Sequence, residues 1–213
     1  MQSFPQTEST FILPGPAGDL EVLATPKKEN LTSRNAVGII CHPHPLFGGT
    51  MNNKVVTTLA RVFSDLGLSS VRFNFRGVGK SVGQYAEGNG ETEDLFAIIT
   101  WVKKVNPTAD IWLAGFSFGS YVAASAASKI QVQQLISIAP PVSRFGFINL
   151  PAINCPWVVV QGEEDEVVIP AEVYTCIEKL NPKPTLIKIP HAGHFFHSKL
   201  LVLREQLELH FGV

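Results

Sequence analysis

Apolar residues along this chain recur at two spacings, one typical of buried strands and the other of amphipathic helices. The uninterrupted apolar run Ala36–Cys41 indicates a strand buried on both faces, as in a parallel sheet. Between residues 52 and 66 the apolar positions keep helical spacing, which predicts a helix packed on that sheet. Nearer the amino terminus, Thr10–Leu13 and Glu21–Thr25 flank a turn that contains Gly and Pro, and this pattern predicts an antiparallel hairpin.

The two spacings continue to alternate towards the carboxyl terminus. Further strands are predicted at Val71–Phe75, Ile111–Ala114, Leu135–Ala139, Trp157–Gln161 and Thr185–Ile189, and further helices at about residues 92–105, 118–129, 171–180 and 198–211. Strands that alternate with helices are typical of βαβ units with right-handed crossovers. We therefore predict the α/β class, with a single domain over residues 1–213. Its mainly parallel, twisted sheet should have about eight strands, with helices on both faces.

Composition and charge narrow the classes of function. The 213 residues carry 17 basic and 18 acidic side chains, a formal net charge of −1, so we expect no nucleic-acid partner. The amino terminus lacks the basic start and apolar stretch of a signal peptide, and no apolar run approaches the roughly 18 residues of a membrane span. Three cysteines without metal-ligand spacing indicate free thiols in a reducing compartment. We expect a cytoplasmic monomer or homodimer with no membrane partner.

The pentapeptide at residues 115–119 is the first sign of chemistry. It reads Gly-Phe-Ser-Phe-Gly, directly after a predicted strand and before a predicted helix. This is the nucleophile-elbow pattern, in which a sharp turn lifts the hydroxyl of the central Ser117 clear of the sheet. Gly115 and Gly119 have no Cβ, so the turn can close. The alternative is a tight turn with a capping serine. The Ala- and Ser-rich helix that follows favours the elbow, because small side chains let a helix lie close to a sheet.

The partners that a catalytic serine requires are present in two later loops. A serine hydroxyl needs a base within hydrogen-bond reach, and in open parallel sheets such groups lie at the carboxyl ends of strands. The loop after the strand at 157–161 contains four acids, of which Asp165 is favoured because it lies three residues after a glycine. The loop after the strand at 185–189 contains two histidines. His194, which follows a glycine and precedes two phenylalanines, is favoured over His191. The order Ser, acid, His is the one expected for an elbow serine.

The loop after Ala36–Cys41, which reads His-Pro-His-Pro-Leu-Phe-Gly-Gly, is a candidate oxyanion site. Negative charge that develops on a tetrahedral intermediate requires preorganised N–H donors. One donor belongs to the residue after the nucleophile, Phe118, and the second comes from this loop. Because the two prolines have no N–H, Leu46 is the first candidate for the second donor and Phe47 is the next.

The two histidines of the same loop, His42 and His44, have a rival interpretation as metal ligands. No carboxylate or cysteine stands in a supporting position beside them in the sequence. We therefore expect no metal ion and no cofactor to be needed.

Two longer strings connect these features to a known superfamily. Residues 42–54 (HPHPLFGGTMNNK) and 72–81 (RFNFRGVGKS), together with the elbow, resemble small lidless bacterial serine hydrolases of the α/β-hydrolase superfamily, of esterase or dienelactone-hydrolase-like type. The resemblance covers nearly the whole chain and implies an α/β-hydrolase fold. It also implies Ser117 as nucleophile, Asp165 as orienting acid and His194 as base. Dienelactone hydrolases use a cysteine nucleophile, so the serine argues against their substrate.

The segment Pro140–Pro156 lies where many members of that superfamily carry a helical lid. It is too short for a helical cap, so we expect an open site with no lid domain, in which Phe47 and Phe195 contact the substrate. The implied function is hydrolysis of small or short-chain carboxylic esters through an acyl-enzyme, with a small-molecule ester as partner. A peptidase or thioesterase of the same fold is an alternative. So is a catalytically silent binding domain, although the complete set of catalytic residues argues against it.

Two further groups of residues near these loops have a structural interpretation. Six phenylalanines are candidates for an apolar acyl pocket, although at least half of them are expected in the core: Phe116, Phe118, Phe145, Phe147, Phe195 and Phe196. Arg76 and Asp94, near the Gly-rich loop at 77–90, are expected to stabilise the fold rather than to act on substrate.

Overall fold

Eight strands and five α-helices follow one another in the described part of the chain, residues 3–28 and 34–212 of this computed structural model. The strands are β1 Ser9–Gly15, β2 Gly18–Thr25, β3 Ala36–Cys41, β4 Ser69–Phe73, β5 Asp110–Phe116, β6 Gln134–Ile138, β7 Trp157–Gly162 and β8 Thr185–Ile189. The helices are α1 Lys54–Asp65, α2 Asn89–Val105, α3 Phe118–Ala127, α4 Pro170–Lys179 and α5 Leu200–Phe211. The extreme ends of the predicted 1–213 domain lie outside the described residues.

All eight of these strands form one sheet in the order β1-β2-β4-β3-β5-β6-β7-β8. The β1–β2 hairpin joins β4 in antiparallel fashion, and the strands from β4 through β8 are parallel. The order reverses around β3 and β5, so the loops that follow these two strands emerge side by side. In open α/β sheets this reversal is where ligands bind. The predicted architecture is therefore present, and it brings the elbow next to the candidate oxyanion loop.

The helices cover the sheet on both sides, as the uninterrupted apolar strands require. Alternate residues of β3 point to opposite faces. Val37 and Ile39 belong to a core shared with α2, α3 and α4, whereas Ile40 belongs to a second core shared with α1 and α5. Every residue of β3, β5 after Asp110, β6 and β7 is buried. The rigid centre of the sheet thus carries the loops in which the candidate catalytic residues lie.

Several element boundaries differ from the sequence predictions for identifiable reasons. The hairpin strands extend further than predicted, because Gly15 pairs with Gly18 and the turn contains only Pro16 and Ala17. The strand predicted to end at Phe75 ends two residues earlier, because the Phe75 N–H leaves the ladder and donates to a histidine ring in a neighbouring loop.

Helix α2 begins at Asn89, about three residues before the predicted start. The buried carboxylate of Glu91 accepts hydrogen bonds from the N–H groups of Ala86 and Gly88, both at 2.8 Å. Gly88 adopts a φ of 90°, a left-handed conformation that favours glycine. The helix therefore begins one turn earlier because the Glu91 carboxylate caps it, and the spacing of apolar residues does not indicate such a cap.

The connection between β6 and β7 contains no α-helix, so it forms no helical lid. It includes one short 3-10 helix, Phe147–Asn149, which is anchored by the buried Phe147 ring stacked against Trp157 at a centroid distance of 6.4 Å. This agrees with the prediction of an open site. Among the described helices, none combines the length and the apolar character that crossing a bilayer would require.

Candidate active site

Ser117 stands on the sharp turn between β5 and α3. Its backbone has φ 51° and ψ −121°, a positive-φ conformation that residues other than glycine rarely adopt. The flanking glycines are needed, because a Cβ on Gly115 would overlap the Gly119 carbonyl and a Cβ on Gly119 would overlap the Cys41 carbonyl. The Ser117 N–H donates to the Ile138 carbonyl at 2.8 Å, and its side chain makes no capping bond to α3. The turn is therefore an elbow and not a serine-capped helix start.

His194 lies between the serine and a carboxylate. Its Nε2 is 3.1 Å from Ser117 Oγ, and its Nδ1 is 2.9 Å from Asp165 Oδ2. Because a carboxylate only accepts, Nδ1 carries the proton and Nε2 presents its lone pair to the serine hydroxyl. The imidazole is buried, and the rings of Phe116 and Phe195 pack against it with centroid distances of 5.1 Å each. This packing fixes the ring plane that links the hydroxyl to the carboxylate.

The Asp165 carboxylate is held by hydrogen bonds on both of its oxygens. Oδ1 accepts the N–H groups of Val167 at 2.9 Å and Val168 at 2.7 Å, while Oδ2 accepts from His194. Burial by itself raises the pKa of Asp165. The hydrogen bonds from His194, Val168 and Val167 outweigh that effect, so the pKa lies below its ordinary value. The group is therefore an anion at neutral pH, as an orienting acid must be.

The other three acids of this loop do not reach the imidazole. Glu163, Glu164 and Glu166 are exposed. Glu164 pairs with His191, with 2.8 Å between Oε1 and Nδ1, and both side chains are largely in solvent. Glu166 accepts the backbone N–H of His194 at 3.2 Å. The structure thus brings Asp165 and His194 together and leaves His191 exposed at the rim.

The histidine that begins the candidate oxyanion loop is part of the core. His42 is fully buried; its Nδ1–H donates to the Pro43 carbonyl at 2.6 Å and its Nε2 accepts the Phe75 N–H at 3.0 Å. Burial lowers the pKa of His42 to about 4, and the hydrogen bond to Pro43 only partly opposes this. Both ring nitrogens are occupied, so the ring has no lone pair left for a metal. In the part of the chain that the structure describes, no group of three or more His, Cys, Asp and Glu side chains could hold a metal ion.

The candidate oxyanion donors differ in how their N–H groups are engaged. Phe118 is the first residue of α3, so its N–H has no acceptor within the helix. Leu46 and Phe47 lie in a 3-10 helix, Pro45–Phe47. The Leu46 N–H donates to the His44 ring at 3.3 Å, and the Phe47 N–H donates to the His44 carbonyl at 3.1 Å. The longer bond, to a side chain that can rotate, leaves Leu46 more available than Phe47.

Most of the phenylalanines near the site belong to the core. Four of the six candidates for an acyl pocket are buried: Phe116, Phe118, Phe147 and Phe196. Phe195 remains 43% exposed beside the imidazole, and Phe47 is 80% exposed. The Phe47 ring contacts His44, whose ring in turn lies 5.0 Å from that of Phe118. The exposed Phe47 and Phe195 are therefore the rings that remain open to a substrate.

Sequence reasoning overlooked one side chain that touches the site, Gln161. It is the penultimate residue of β7, and its Nε2 lies 3.0 Å from Asp165 Oδ2. No motif marks this position. The available signal is compositional, because Gln161 is a polar residue at the end of an otherwise apolar buried strand, next to the acid loop. A buried polar side chain in such a place requires a partner.

The sheet order and the elbow together define a molecule of the α/β-hydrolase class. Residues 39–204 match the family of alpha/beta hydrolase domains. The chain belongs to this family, which confirms the resemblance read from its sequence.

Solved structures similar to the chain share its size as well as its fold. An alpha-beta serine hydrolase homologue from Coxiella burnetii is 49% identical, with a TM-score of 0.94, over 98% of this chain and 99% of that one. A Xanthomonas campestris protein, described as an a/b serine hydrolase without lid, is 44% identical, with a TM-score of 0.93, over 98% and 95%. Among relatives found by sequence, an uncharacterized protein of Rickettsia prowazekii is 35% identical over 196 residues, 87% of this chain and 81% of that one. The predicted lidless α/β-hydrolase fold is thereby confirmed.

Proposed function

We propose that the chain is a serine carboxylesterase that hydrolyses esters of small or short-chain acids. The observation that carries the proposal is the hydrogen-bonded series from Ser117 Oγ through His194 to Asp165, with distances of 3.1 and 2.9 Å. A serine hydroxyl alone is a weak nucleophile, and this arrangement supplies both a base and an orienting acid. The 49%-identical relative described as a serine hydrolase homologue supports the same chemistry.

The proposed reaction proceeds through an acyl-enzyme. His194 Nε2 takes the Ser117 proton as Oγ attacks the ester carbonyl, and Asp165 holds the imidazolium that forms. The imidazolium then returns its proton to the leaving alcohol. A water molecule then takes the place of the alcohol, loses a proton to His194 Nε2 and attacks the acyl carbon. The imidazolium returns that proton to Ser117 Oγ as the bond between Oγ and the acyl carbon breaks, so the acid is released and the free serine is restored. No redox step or cofactor enters this scheme.

The charge that develops on the carbonyl oxygen requires backbone donors. We assign these roles to the N–H groups of Phe118 and Leu46, with Phe47 as the second choice for the loop donor. Loss of one such donor typically reduces turnover about 10²–10³-fold. A crystal structure of a phosphonate adduct on Ser117 tests the assignment. The phosphonyl oxygen should lie about 3 Å from both assigned nitrogens, with the Leu46 N–H released from His44. A contact with Phe47 in place of Leu46 would reverse the choice.

The preference for small acyl groups follows from the shape of the site. The connection between β6 and β7 forms no helical lid, so nothing there encloses a long chain. Phe47 and Phe195 offer limited apolar contact at an open surface. The three cysteines, Cys41, Cys155 and Cys176, are free thiols, which is consistent with the cytoplasmic location that we propose for the enzyme.

A fluorophosphonate probe tests the nucleophile. We expect the wild type and Ser128→Ala to form a covalent adduct and Ser117→Ala to form none. Ser128 is a matched control because it caps the same helix and its hydroxyl bonds only to the Ser125 carbonyl. Absence of an adduct on folded wild-type protein would favour the binding-domain alternative.

A substrate panel then tests the leaving group and the acyl chain. We expect the highest kcat/KM for p-nitrophenyl acetate and butyrate, with decline toward longer chains. Faster turnover of acyl thioesters or aminoacyl amides would make the chain a thioesterase or peptidase instead, without changing the assignment of Ser117.

A further inference from the structure

Gln161 faces the candidate acid from inside the sheet. It is fully buried, and its Nε2 lies 3.0 Å from Asp165 Oδ2, the same oxygen that accepts His194 Nδ1–H at 2.9 Å. We infer that Gln161 is a positioning residue, whose amide holds the Asp165 carboxylate in the orientation in which it meets His194. This inference rests on the proposed serine hydrolase function and extends it to a residue beyond the triad.

The surroundings fix which end of the Gln161 amide faces the acid. Besides Asp165, Nε2 lies 3.1 Å from the Gly162 carbonyl and 3.4 Å from the Val168 carbonyl. All three neighbours are acceptors, so a flipped amide would point its oxygen at two carbonyls and a carboxylate. The Oε1 atom is buried and has no hydrogen-bond partner within residues 3–28 and 34–212. The orientation of the amide is therefore set by the acceptors around Nε2, and one of them is the acid.

The contact bears on catalysis because the two oxygens of Asp165 are held from different sides. Val167 and Val168 hold Oδ1. Without Gln161, Oδ2 would be held by His194 alone, and His194 changes charge during the proposed reaction. A neutral donor from β7 keeps the carboxylate in place in both charge states of the imidazole. Its effect should therefore appear in kcat and leave KM nearly unchanged.

Gln134 provides a matched control in the neighbouring strand. It is also a buried glutamine at the end of a strand, and its Nε2 donates to the carbonyls of Leu135 and Pro156, both at 3.0 Å. Gln161 likewise donates to carbonyls, one of them that of the next residue. Only Gln161 has a carboxylate as an additional acceptor. Gln134→Met thus reports the loss of a buried amide, and Gln161→Met adds the loss of the contact with the acid.

The first experiment measures kcat and KM on p-nitrophenyl acetate, together with thermal unfolding, for the wild type and both Met variants. We expect Gln161→Met to lower kcat about 10–100-fold, the range for loss of a hydrogen bond to a charged group, with KM within about twofold. Gln134→Met should keep kcat within about threefold of the wild-type value, even if its melting temperature falls as far as that of Gln161→Met. Wild-type kcat in Gln161→Met, or equal losses in the two variants, would overturn the positioning role.

A second variant keeps the shape of the side chain and changes its charge. In Gln161→Glu the new carboxyl group can donate to Asp165 while protonated, but it adds a negative charge beside the acid once it ionises. The added charge favours the imidazolium form of His194. We therefore expect the acidic limb of the rate of fluorophosphonate labelling to move at least about one pH unit upward, whereas Gln134→Glu leaves that limb in place. If the new carboxyl stays protonated, the limb stays in place and kcat should remain near the wild-type value, because the donor to Asp165 is kept. An unmoved limb together with a kcat lowered more than tenfold would overturn the inference, and these two measurements decide if Gln161→Met does not fold.

The two proposals can fail separately in these experiments. If folded wild-type protein is not labelled, the proposed hydrolase function fails and the role of Gln161 fails with it. If the wild type is labelled and the Gln161 variants retain its kcat and its pH profile, only the positioning role is lost.

Discussion

Two aspartates in this molecule are each paired with a basic side chain away from solvent, and only one pair belongs to the candidate active site. The side chains of Asp94 and Asp165 are both fully buried, and their partners, Arg76 and His194, are nearly so. Asp94 accepts from Arg76 three times over, from the backbone N–H at 3.0 Å, Nε at 3.1 Å and Nη2 at 2.8 Å. It joins the start of the Gly-rich loop to α2. By burial and charge alone, the two pairs look alike.

The two pairs differ in whether the basic partner has a nitrogen lone pair that can accept a proton. The Arg76 guanidinium keeps its proton at any working pH, and it has no lone pair to accept one from a nucleophile. The His194 imidazole uses one nitrogen for Asp165 and turns the other towards Ser117 Oγ. A buried acid–base pair is therefore a structural feature unless its basic partner has a lone pair that can accept a proton and that faces a nucleophile. The substitutions below test this distinction, from the largest expected effect to the smallest.

The strongest test replaces each aspartate by asparagine and measures kcat/KM on p-nitrophenyl acetate. Asp165→Asn should lower it about 10³–10⁴-fold, because the wrong histidine tautomer is then stabilised. Asp94→Asn should lower it less than tenfold per folded molecule. Comparable losses in the two variants would mean that the Arg76 pair also takes part in catalysis.

The role of the Arg76–Asp94 pair should appear in stability rather than in turnover. Asp94→Asn removes the buried counter-ion of Arg76 and leaves only the exposed Glu93, at 3.4 Å from Nη2, so the free energy of unfolding should fall by about 3 kcal/mol. Urea denaturation measures it. Glu178→Gln is the control, because the Lys183–Glu178 pair is exposed and should contribute less than about 1 kcal/mol. An Asp94→Asn value as small as that of the control would contradict a structural role for the buried pair.

His42 shows that a histidine near the same loops can also be buried without serving catalysis. Its pKa is lowered from 6.5 to about 4, so between these values the unfolded chain binds a proton that the folded protein does not. The free energy of unfolding should therefore be unaffected by this group above pH 6.5 and should fall by about 3 kcal/mol as the pH drops from 6.5 to 4. Chemical denaturation over this range measures the slope. In His42→Gln this part of the slope should vanish, and a slope that persists would assign it to other groups.

The smallest effect concerns two adjacent phenylalanines. Phe195 is partly exposed beside the imidazole, whereas Phe196 is fully buried in the second core. Phe195→Ala should raise KM for p-nitrophenyl butyrate about 3–10-fold and leave kcat within about twofold, as expected for loss of a contact to substrate alone. Phe196→Ala serves as the contrast, because it should destabilise the fold with no such effect on KM. An unchanged KM in Phe195→Ala would remove that residue from the binding surface.

Much of the architecture and the meeting of three loops could be predicted because simple rules govern them. Uninterrupted apolar strands place their carboxyl ends along one edge, so Ser117, Asp165 and His194 could be assigned to loops at the same rim. The glycine spacing around Ser117 marked the elbow. Of the four acids in that loop, Asp165 is the one whose side chain is buried.

The rest depended on individual side-chain hydrogen bonds, some between distant residues and others between residues only two to four positions apart, which leave no trace in the apolar pattern. The end of β4 is set by a hydrogen bond to His42, and the start of α2 by the carboxylate of Glu91. No motif marks Gln161, because its contact with Asp165 depends on the turn that brings the two side chains together. The availability of the Leu46 N–H depends on the direction of the His44 ring. Apolar periodicity reports which face is buried, and it carries no information on such bonds.

The positive φ of Ser117 has a consequence for anyone who wishes to make this protein more robust. A non-glycine residue held in such a conformation costs about 1–3 kcal/mol, and glycine would adopt it with little strain. Ser117→Gly should therefore relieve this strain and abolish the proposed activity. At this one position, the nucleophile that the proposed function requires is also a source of backbone strain.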